Sequence, residues 1–387
     1  MSEAPHPALL PTGMHDLLPP EAEIEAWVVA QLMATLTAHG YERVKPPLVE
    51  FEETLFLGAG AAMANSTFRM MDPISHRMIG VRADMTPQIA RIAATRLGGA
   101  PRPLRLSYAG QVLRVRGSEI RPERQIGQVG AELIGAAGPA ADVEAIAVAG
   151  AALTELGVPQ LTVDITLPTL VPAIAEAYGM GGELVAGLRA ALDHKDAAAV
   201  IALAGKTGKL LERLLLAAGP AAATLAALDR LDLPGRARAE RARLGAVLEG
   251  LKTAAPELKV TVDPVENRGF EYHTGISFTF FATGSATYGP LGELGRGGRY
   301  DAGDPGASEP STGFTLYTDT ILRALPEAPA PRRVLLPLGA DRGGAAALRA
   351  AGWVTVAALA SVGDWQAEAR RLGCSHVLEG DDPVPVG

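Results

Sequence analysis

The sequence predicts an α+β protein, and three observations carry that prediction. Segments of alternating or continuous apolar character, among them GQVGAELIG, LTVDITL and ISFTFFA, mark strands on both sides of a long insertion. That insertion, from about residue 170 to 255, is rich in Ala, Leu, Lys and Arg at helical spacing and reads as a helical subdomain. Beyond the proline linker PEAPAPR at 326–332, residues 333–387 show a compact βαβαβ pattern, a small C-terminal α/β domain. A core of residues 1–325 is therefore expected, with the helical subdomain inside it.

In chain order, Pro19-Pro20 opens a helix whose apolar face is Ile24, Trp27, Val28, Leu32 and Leu36, closed by Gly40. The run YERVKPPLVEFEETLFLGAG is extended and broken by Pro46-Pro47, which suits a sheet edge or a subunit boundary. FRMMD and RMIGVR flank Pro-Ile-Ser-His as a hairpin leading into Ile79–Leu97, where a buried strand runs into a helix. There Thr86 suits a helix cap and Pro87 the first turn; Ile89, Ile92, Ala93 and Leu97 keep helical spacing, and Gly98-Gly99 stops it. LRLSY and QVLRVR read as two strands, SEIRPERQ as a charged loop and GQVGAELIG as a strand. A helix over Ala140–Leu156 and the strand LTVDITL complete the first half. KVTVDPV and ISFTFFA follow the helical subdomain, then a glycine-dense turn, GPLGELGRGGRYDAG, and a last core segment, TGFTLYTDTILRAL.

Composition excludes several classes. Of 387 residues, 48% are hydrophobic and 20% charged, which describes a globular chain able to bury a sizeable core. No apolar run is long and uncharged enough to span a membrane, and no basic-then-apolar leader opens the chain, so a cytoplasmic location is expected. Cys374 stands alone, excluding an internal disulfide and a cysteine-rich zinc site. A formal net charge of −8 gives no sign of a broad nucleic-acid surface. No cofactor is expected: metal-ligand spacing and a Ser/His/Asp set are absent, and GRGGRYD lacks the Lys-Ser/Thr of a phosphate-cradling loop.

Four clusters carry chemistry. The first is Arg82, Asp84 and Thr86 at the strand–helix join, where an acid is either a helix cap or the complement of an ammonium group. The second is Arg114, then Arg124, Gln128 and Glu132. Gln128, Gly130 and Glu132 are spaced by two and share one strand face, while Val129 and Leu133 point to the other. That polar face is either solvated or, if concealed, costly without partners. In the third, NRGFEYHTG, Arg268 offers a planar fork for a carboxylate, and Glu271 and His273 alternate with Phe270 and Tyr272, so that one set lines a cavity and the other packs. The fourth is Gly297-Gly298-Arg299-Tyr300-Asp301, where glycines permit close approach and Tyr300 could close a pocket. Together they describe a pocket for a free amino acid with a polar aromatic side chain, plausibly an imidazole.

VRADMT, QIGQVGAE, NRGFEYHTG and GGRYD resemble, in order and spacing, the histidine-pocket motifs of histidyl-tRNA synthetase, and PLVE resembles the end of its first, dimer-forming motif. The resemblance covers most of residues 10–325 and implies the class II synthetase fold, an antiparallel sheet flanked by helices. The C-terminal piece resembles a shortened anticodon-binding domain. VRADMTPQIARIA is more similar still to the synthetase paralogue that serves as the regulatory subunit of ATP phosphoribosyltransferase, in histidine biosynthesis. By resemblance, Asp84, Thr86 and Gln128 would hold the α-amino group of histidine and Arg268 its carboxylate. Glu132, His273 and Tyr300 would surround the imidazole, and Arg114 matches the arginine that synthetases aim at the carboxylate and the α-phosphate of ATP.

Departures from the synthetase pattern separate the readings. Arg116 stands where synthetases carry an acid for the adenine amino group, and Thr320 where an arginine grips the γ-phosphate. Arg323, three residues on, is out of register, and the C-terminal piece is short. These changes point to a non-catalytic, histidine-binding regulatory subunit. By the family pattern it would dimerise, assemble with a short-form catalytic ATP phosphoribosyltransferase subunit, stimulate it and make it sensitive to histidine. A divergent histidyl-tRNA synthetase, a histidine-activating ligase and a histidine sensor with another partner are the alternatives.

Overall fold

The structure, a computed structural model, describes residues 9–117, 121–266, 272–282, 292–303, 306–326 and 331–387. The chain divides into two compact units, Met1–Pro326 and Glu327–Gly387.

The first unit is built on a nine-stranded sheet. Its order is Glu42–Arg43, Leu104–Leu113, Gln125–Ile134, Glu309–Tyr317, Gly295–Ala302, His273–Phe281, Thr162–Thr166, Lys259–Asp263 and Gly219–Pro220. The six strands from Leu104–Leu113 to Thr162–Thr166 are antiparallel throughout. Only the pairings of Glu42–Arg43 with Leu104–Leu113 and of Thr162–Thr166 with Lys259–Asp263 are parallel. The fold is thus α+β and class II-like, a mixed sheet with an antiparallel centre. Three corrections to the sequence reading follow. LRLSY and QVLRVR are one continuous strand ending at Leu113. The helix from Thr86 ends at Thr95, ahead of Gly98-Gly99. The glycine-dense turn is largely the strand Gly295–Ala302, in full register with Glu309–Tyr317.

Glycine in that strand answers packing rather than turning. A Cβ on Gly297 would lie 2.4 Å from the Phe278 ring, and one on Gly298 would lie 2.6 Å from the His273 ring. Only a residue without a side chain fits there.

Each sheet face has its own cover. Val129, Ala131, Phe314 and Leu316 pack with Val28, Leu32 and Leu36 of the helix Glu21–Ala38 and with Ala145, Ala149 and Leu153 of the helix Pro139–Glu155. Trp27 is 48% exposed and leaves that apolar face. It stands five residues from fully buried Leu32, about 140° round the helix. The opposite sheet face presents Leu106, Tyr108, Ile126, Ile134, Tyr300 and Tyr317 to Ile89, Ala90 and Ala93 of the helix Thr86–Thr95. A three-stranded antiparallel sheet, Val49–Phe51, Met78–Val81 and Phe68–Met71, leads into that helix; Val49–Phe51, which follows Pro46-Pro47, stands at its edge.

On the face of the Pro139–Glu155 helix lies a buried ionic cluster that sequence reading missed. Asp142, fully buried, accepts from Arg299 Nε at 3.0 Å, Arg243 Nη1 at 3.0 Å and Thr312 Oγ1 at 2.7 Å. Arg299 also donates to the carbonyls of Ala136 and Gly138, at 2.9 and 3.1 Å. A buried guanidinium with this many acceptors knits sheet to helix at a charge cost that is locally offset.

The helical subdomain comprises Leu170–Ala177, Gly182–Asp193, Ala197–Ala204, Gly208–Leu215, Ala221–Leu228 and Gly235–Ala254. Its apolar positions, such as Leu188, Leu192, Leu214 and Leu244, join the larger core. The second unit is a four-stranded sheet ordered Val354–Ala357, Arg333–Leu336, His376–Glu379 and Asp382–Pro385. The first three strands are parallel, as a βαβαβ chain requires; the fourth is antiparallel and was not foreseen.

Candidate functional site

The site grows from the segment that follows the strand Met78–Val81. Arg82 ties this segment to the main sheet, donating from Nε to the Gln111 carbonyl at 2.8 Å and from Nη1 to the Pro46 carbonyl at 3.2 Å. Asp84 is then held from two sides. Its Oδ1 accepts the Thr86 backbone N–H at 2.9 Å, and its Oδ2 accepts Gln128 Nε2 at 2.9 Å. Gln128 Oε1 accepts the Met85 N–H at 3.1 Å, which fixes the amide. The carboxylate of Asp84 therefore serves the helix start, and Thr86 is not the cap: the helix begins at Thr86 without a side-chain cap.

The Thr86 hydroxyl turns instead to Glu132. Glu132 Oε1 accepts from Thr86 Oγ1 at 3.0 Å and from the Tyr108 hydroxyl at 3.3 Å; Oε2 accepts from the Tyr300 hydroxyl at 2.9 Å. Glu132 and Gln128 are each 1% exposed, so the solvated-face alternative is excluded. Among the described residues no Lys, Arg or His forms an ion pair with Glu132. Burial pushes its pKa up to about 8, against the lowering effect of the Tyr300 and Thr86 hydroxyls and with a further rise from Asp84. Burial likewise holds the Tyr108 and Tyr300 hydroxyls well above the usual tyrosine range.

Register makes the cavity. Glu132 pairs with Gly313, and Gly313 with Gly298, so two adjacent positions beside the carboxyl carry no side chain. A Cβ on Gly313 would fall 1.8 Å from Glu132 Oε2. The resulting pocket, about 370 Å³ counting the space open to solvent, is walled by Asp84, Thr86, Glu132, Tyr272, His273, Arg296, Tyr300, Phe314, Thr315 and Tyr317.

Five sequence-predicted residues, Asp84, Thr86, Glu132, His273 and Tyr300, meet on these walls. Gln128 stands behind Asp84 as its anchor. Arg114 lies just past its strand; its Nε donates to the Ala83 carbonyl at 3.3 Å, and its buried Nη2 has no hydrogen-bond partner among the described residues. An orphaned guanidinium nitrogen next to the acid-bearing segment suits an anionic group. Arg268 lies outside the described residues, with Asn267, Gly269, Phe270 and Glu271. Arg124 is structural, donating to the Arg114 and Thr12 carbonyls.

The expected alternation, one set lining a cavity and the other packing, does not hold at Tyr272 and His273: both line the pocket, Tyr272 edge-on to Tyr300 with ring centroids 5.8 Å apart. Arg296, Thr315 and Tyr317 were missed. For Arg296 the signal was present: with Gly298 and Tyr300 it repeats at the strand period. Arg296 is engaged by Glu293, Nη2 to Oε2 at 2.8 Å. Beneath Tyr317, Thr320 is buried and accepts from Arg121 Nη2 at 2.6 Å, while the Arg121 guanidinium stacks 4.1 Å from the Tyr317 ring centre. Arg323 faces Glu123 and Asp319, at 3.5 and 3.6 Å. No group of three or more metal-ligating side chains occurs among the described residues, and no helix among them is long and apolar enough to cross a membrane.

An antiparallel centre flanked by helices is the fold of the class II histidyl-tRNA synthetase-like proteins. The sequence profile of the histidyl-tRNA synthetase family matches residues 13–321. A Bacillus halodurans structure titled ATP phosphoribosyltransferase regulatory subunit/histidyl-tRNA synthetase superposes with a TM-score of 0.80 at 26% identity, covering 96% of this chain and 97% of that one. Histidyl-tRNA synthetase from Nostoc shares the fold, with a TM-score of 0.78 at 17% identity over 96% of this chain and 91% of its own. The ATP phosphoribosyltransferase regulatory subunit of Paramagnetospirillum magneticum is 56% identical over 386 residues, all of both chains, and that of Rhodospirillum centenum is 57% identical over 97% of this chain and 96% of its own. The chain belongs to the family of ATP phosphoribosyltransferase regulatory subunits.

Proposed function

We propose that this chain is a non-catalytic, cytoplasmic subunit that binds free histidine, stimulates a short-form catalytic ATP phosphoribosyltransferase and makes it sensitive to histidine. One observation carries the reading: a buried glutamate, held among the described residues by hydroxyls alone, faces a pocket floored by Gly298 and Gly313, with Asp84 on the same wall. In this assignment Asp84, oriented by Gln128 and Thr86, takes the α-ammonium group. Glu132, His273 and Tyr300 surround the imidazole, and Arg114 and Arg268 meet the carboxylate. The names of the P. magneticum and R. centenum relatives support the partnership with the transferase.

Loss of amino acid activation belongs to the same reading. Thr320 supplies no charge for a triphosphate, Arg121 already occupies its hydroxyl, and Arg323 is turned to Glu123 and Asp319. Self-association as a dimer would use the neighbourhood of Pro47, where Leu48, Val49, Met70 and Met71 are exposed. The C-terminal unit is taken as a shortened anticodon-binding-like domain.

The test is reconstitution of the full chain with the short catalytic subunit. Transferase activity should rise on mixing and then fall with added histidine. Arg268→Ala should remove most of the fall and spare the rise; unchanged inhibition in that variant would place the regulatory site on the catalytic chain. Histidine-dependent exchange of pyrophosphate with ATP by the isolated chain would overturn the non-catalytic assignment.

A further inference from the structure

We propose that Glu132 and the ligand's imidazole share one proton, which the carboxyl holds in the empty pocket and the ring holds in the complex, so that histidine binding is proton-linked. This inference rests on the histidine reading above and adds to it the protonation state that the pocket selects.

The geometry supplies the reason. Glu132 is reached from the helix start by Thr86 Oγ1, from its neighbouring strand by the Tyr108 hydroxyl and from the strand Gly295–Ala302 by the Tyr300 hydroxyl. All three are neutral donors. The other charged or titratable groups on the surrounding walls are Asp84, Arg296, Tyr272, His273 and Tyr317. Asp84 is a like charge, and Arg296 is held by Glu293. A carboxylate at 1% exposure with no cation paired to it among the described residues is costly, so the empty site retains a proton. Burial pushes the Glu132 pKa to about 8, in keeping with that picture.

An imidazole seated in the pocket brings a base able to take the proton directly from Glu132. The Glu132 O–H bond breaks, an N–H bond forms on a ring nitrogen, and a carboxylate–imidazolium pair remains, with no proton passed to solvent. That balance holds between the pKa of the free ring, about 6.5, and that of the empty carboxyl. Below this window the ligand arrives already charged and the Glu132 proton is expelled. Above it the carboxyl is already ionised, and the complex draws a proton from solvent.

Calorimetric titration of the full chain with histidine, repeated in buffers of different ionisation enthalpy, reads the proton count. Release approaching one proton per histidine is expected at pH 5.5, almost none near pH 7.2, and uptake approaching one at pH 8.5. The ligand's α-amino group also titrates on the alkaline side, but Asp84, not Glu132, addresses it. Glu132→Gln should therefore abolish most of the uptake at pH 8.5, whereas His273→Gln should keep it. Uptake that survives in Glu132→Gln, or vanishes only in His273→Gln, overturns the assignment.

Infrared difference spectra of the unmodified chain at pH 7 provide a check that needs no variant. Adding histidine should remove a protonated carboxyl band and produce carboxylate bands. Histidine binding with buffer-independent heats and no carboxyl change would defeat the proton sharing alone. An absence of histidine binding at every pH would defeat the histidine reading, and this inference with it.

Discussion

A carboxylate buried almost completely lies against each face of the central sheet, Asp142 on one and Glu132 on the other, and the two are treated in opposite ways. On the face of the Pro139–Glu155 helix, Asp142 receives two arginines and a threonine hydroxyl. On the face of the Thr86–Thr95 helix, Glu132 receives three hydroxyls and, among the described residues, no cation. Both sit in well-packed surroundings of similar depth, at 0% and 1% exposure. The difference separates architecture from function. A buried charge matched inside the protein holds elements together, whereas one left to neutral donors beside a void is matched from outside, by a proton or by a ligand.

The sharpest way to break the comparison is to remove the matched acid. Asp142→Ala leaves Arg299 buried without its carboxylate and should cost about 3–5 kcal/mol of stability. Denaturant unfolding monitored by far-UV circular dichroism measures it. A change below about 1 kcal/mol would mean that the cluster is not structural and would remove the contrast.

On the other face the balance should reverse. Glu132→Ala takes away a charge-assisted contact to the ligand, so histidine affinity should fall by about 2–3 kcal/mol. Stability of the ligand-free protein should change far less than in Asp142→Ala. If the Glu132 variant instead unfolds while its folded fraction binds histidine normally, Glu132 is a structural polar group like Asp142.

The effect that is smallest per step is a slope, spread over several pH units. The folded pKa of Glu132, about 8, lies above its usual value of 4.5, so the folded state binds more protons than the unfolded state between those values. The associated stability is fully present below about pH 4.5 and is lost as pH rises through about 8. Ligand-free protein should thus lose at most about 1.4 kcal/mol per pH unit across that window. The same unfolding curves for Glu132→Gln should be flatter by that amount. Equal slopes in both proteins would show that Glu132 does not hold a proton in the folded state.

Much of the site was legible because strand periodicity is a local property. Gln128 and Glu132 share a face whatever the rest of the chain does, and the acid at the join of Met78–Val81 and Thr86–Thr95 follows from adjacent residues. Most strand and helix segments were likewise written in local pattern, although LRLSY and QVLRVR were divided where the backbone runs on. Trp27 shows the limit of such patterns, since helical spacing admitted it to a face that the packed helix does not bury.

By itself, then, the sequence determined which residues alternate and that Gln128 and Glu132 share one strand face. The tertiary structure alone decided that this face is concealed. It placed the Tyr300 hydroxyl on Glu132 across 168 residues and Arg299 on Asp142 across 157. It also turned a glycine-dense stretch into a strand, because Phe278 and His273 from a neighbouring strand take the space a Cβ would need. Periodicity specifies the side on which a residue stands; what covers that side is set by pairing between distant segments, and burial, charge matching and the pocket itself arise only there.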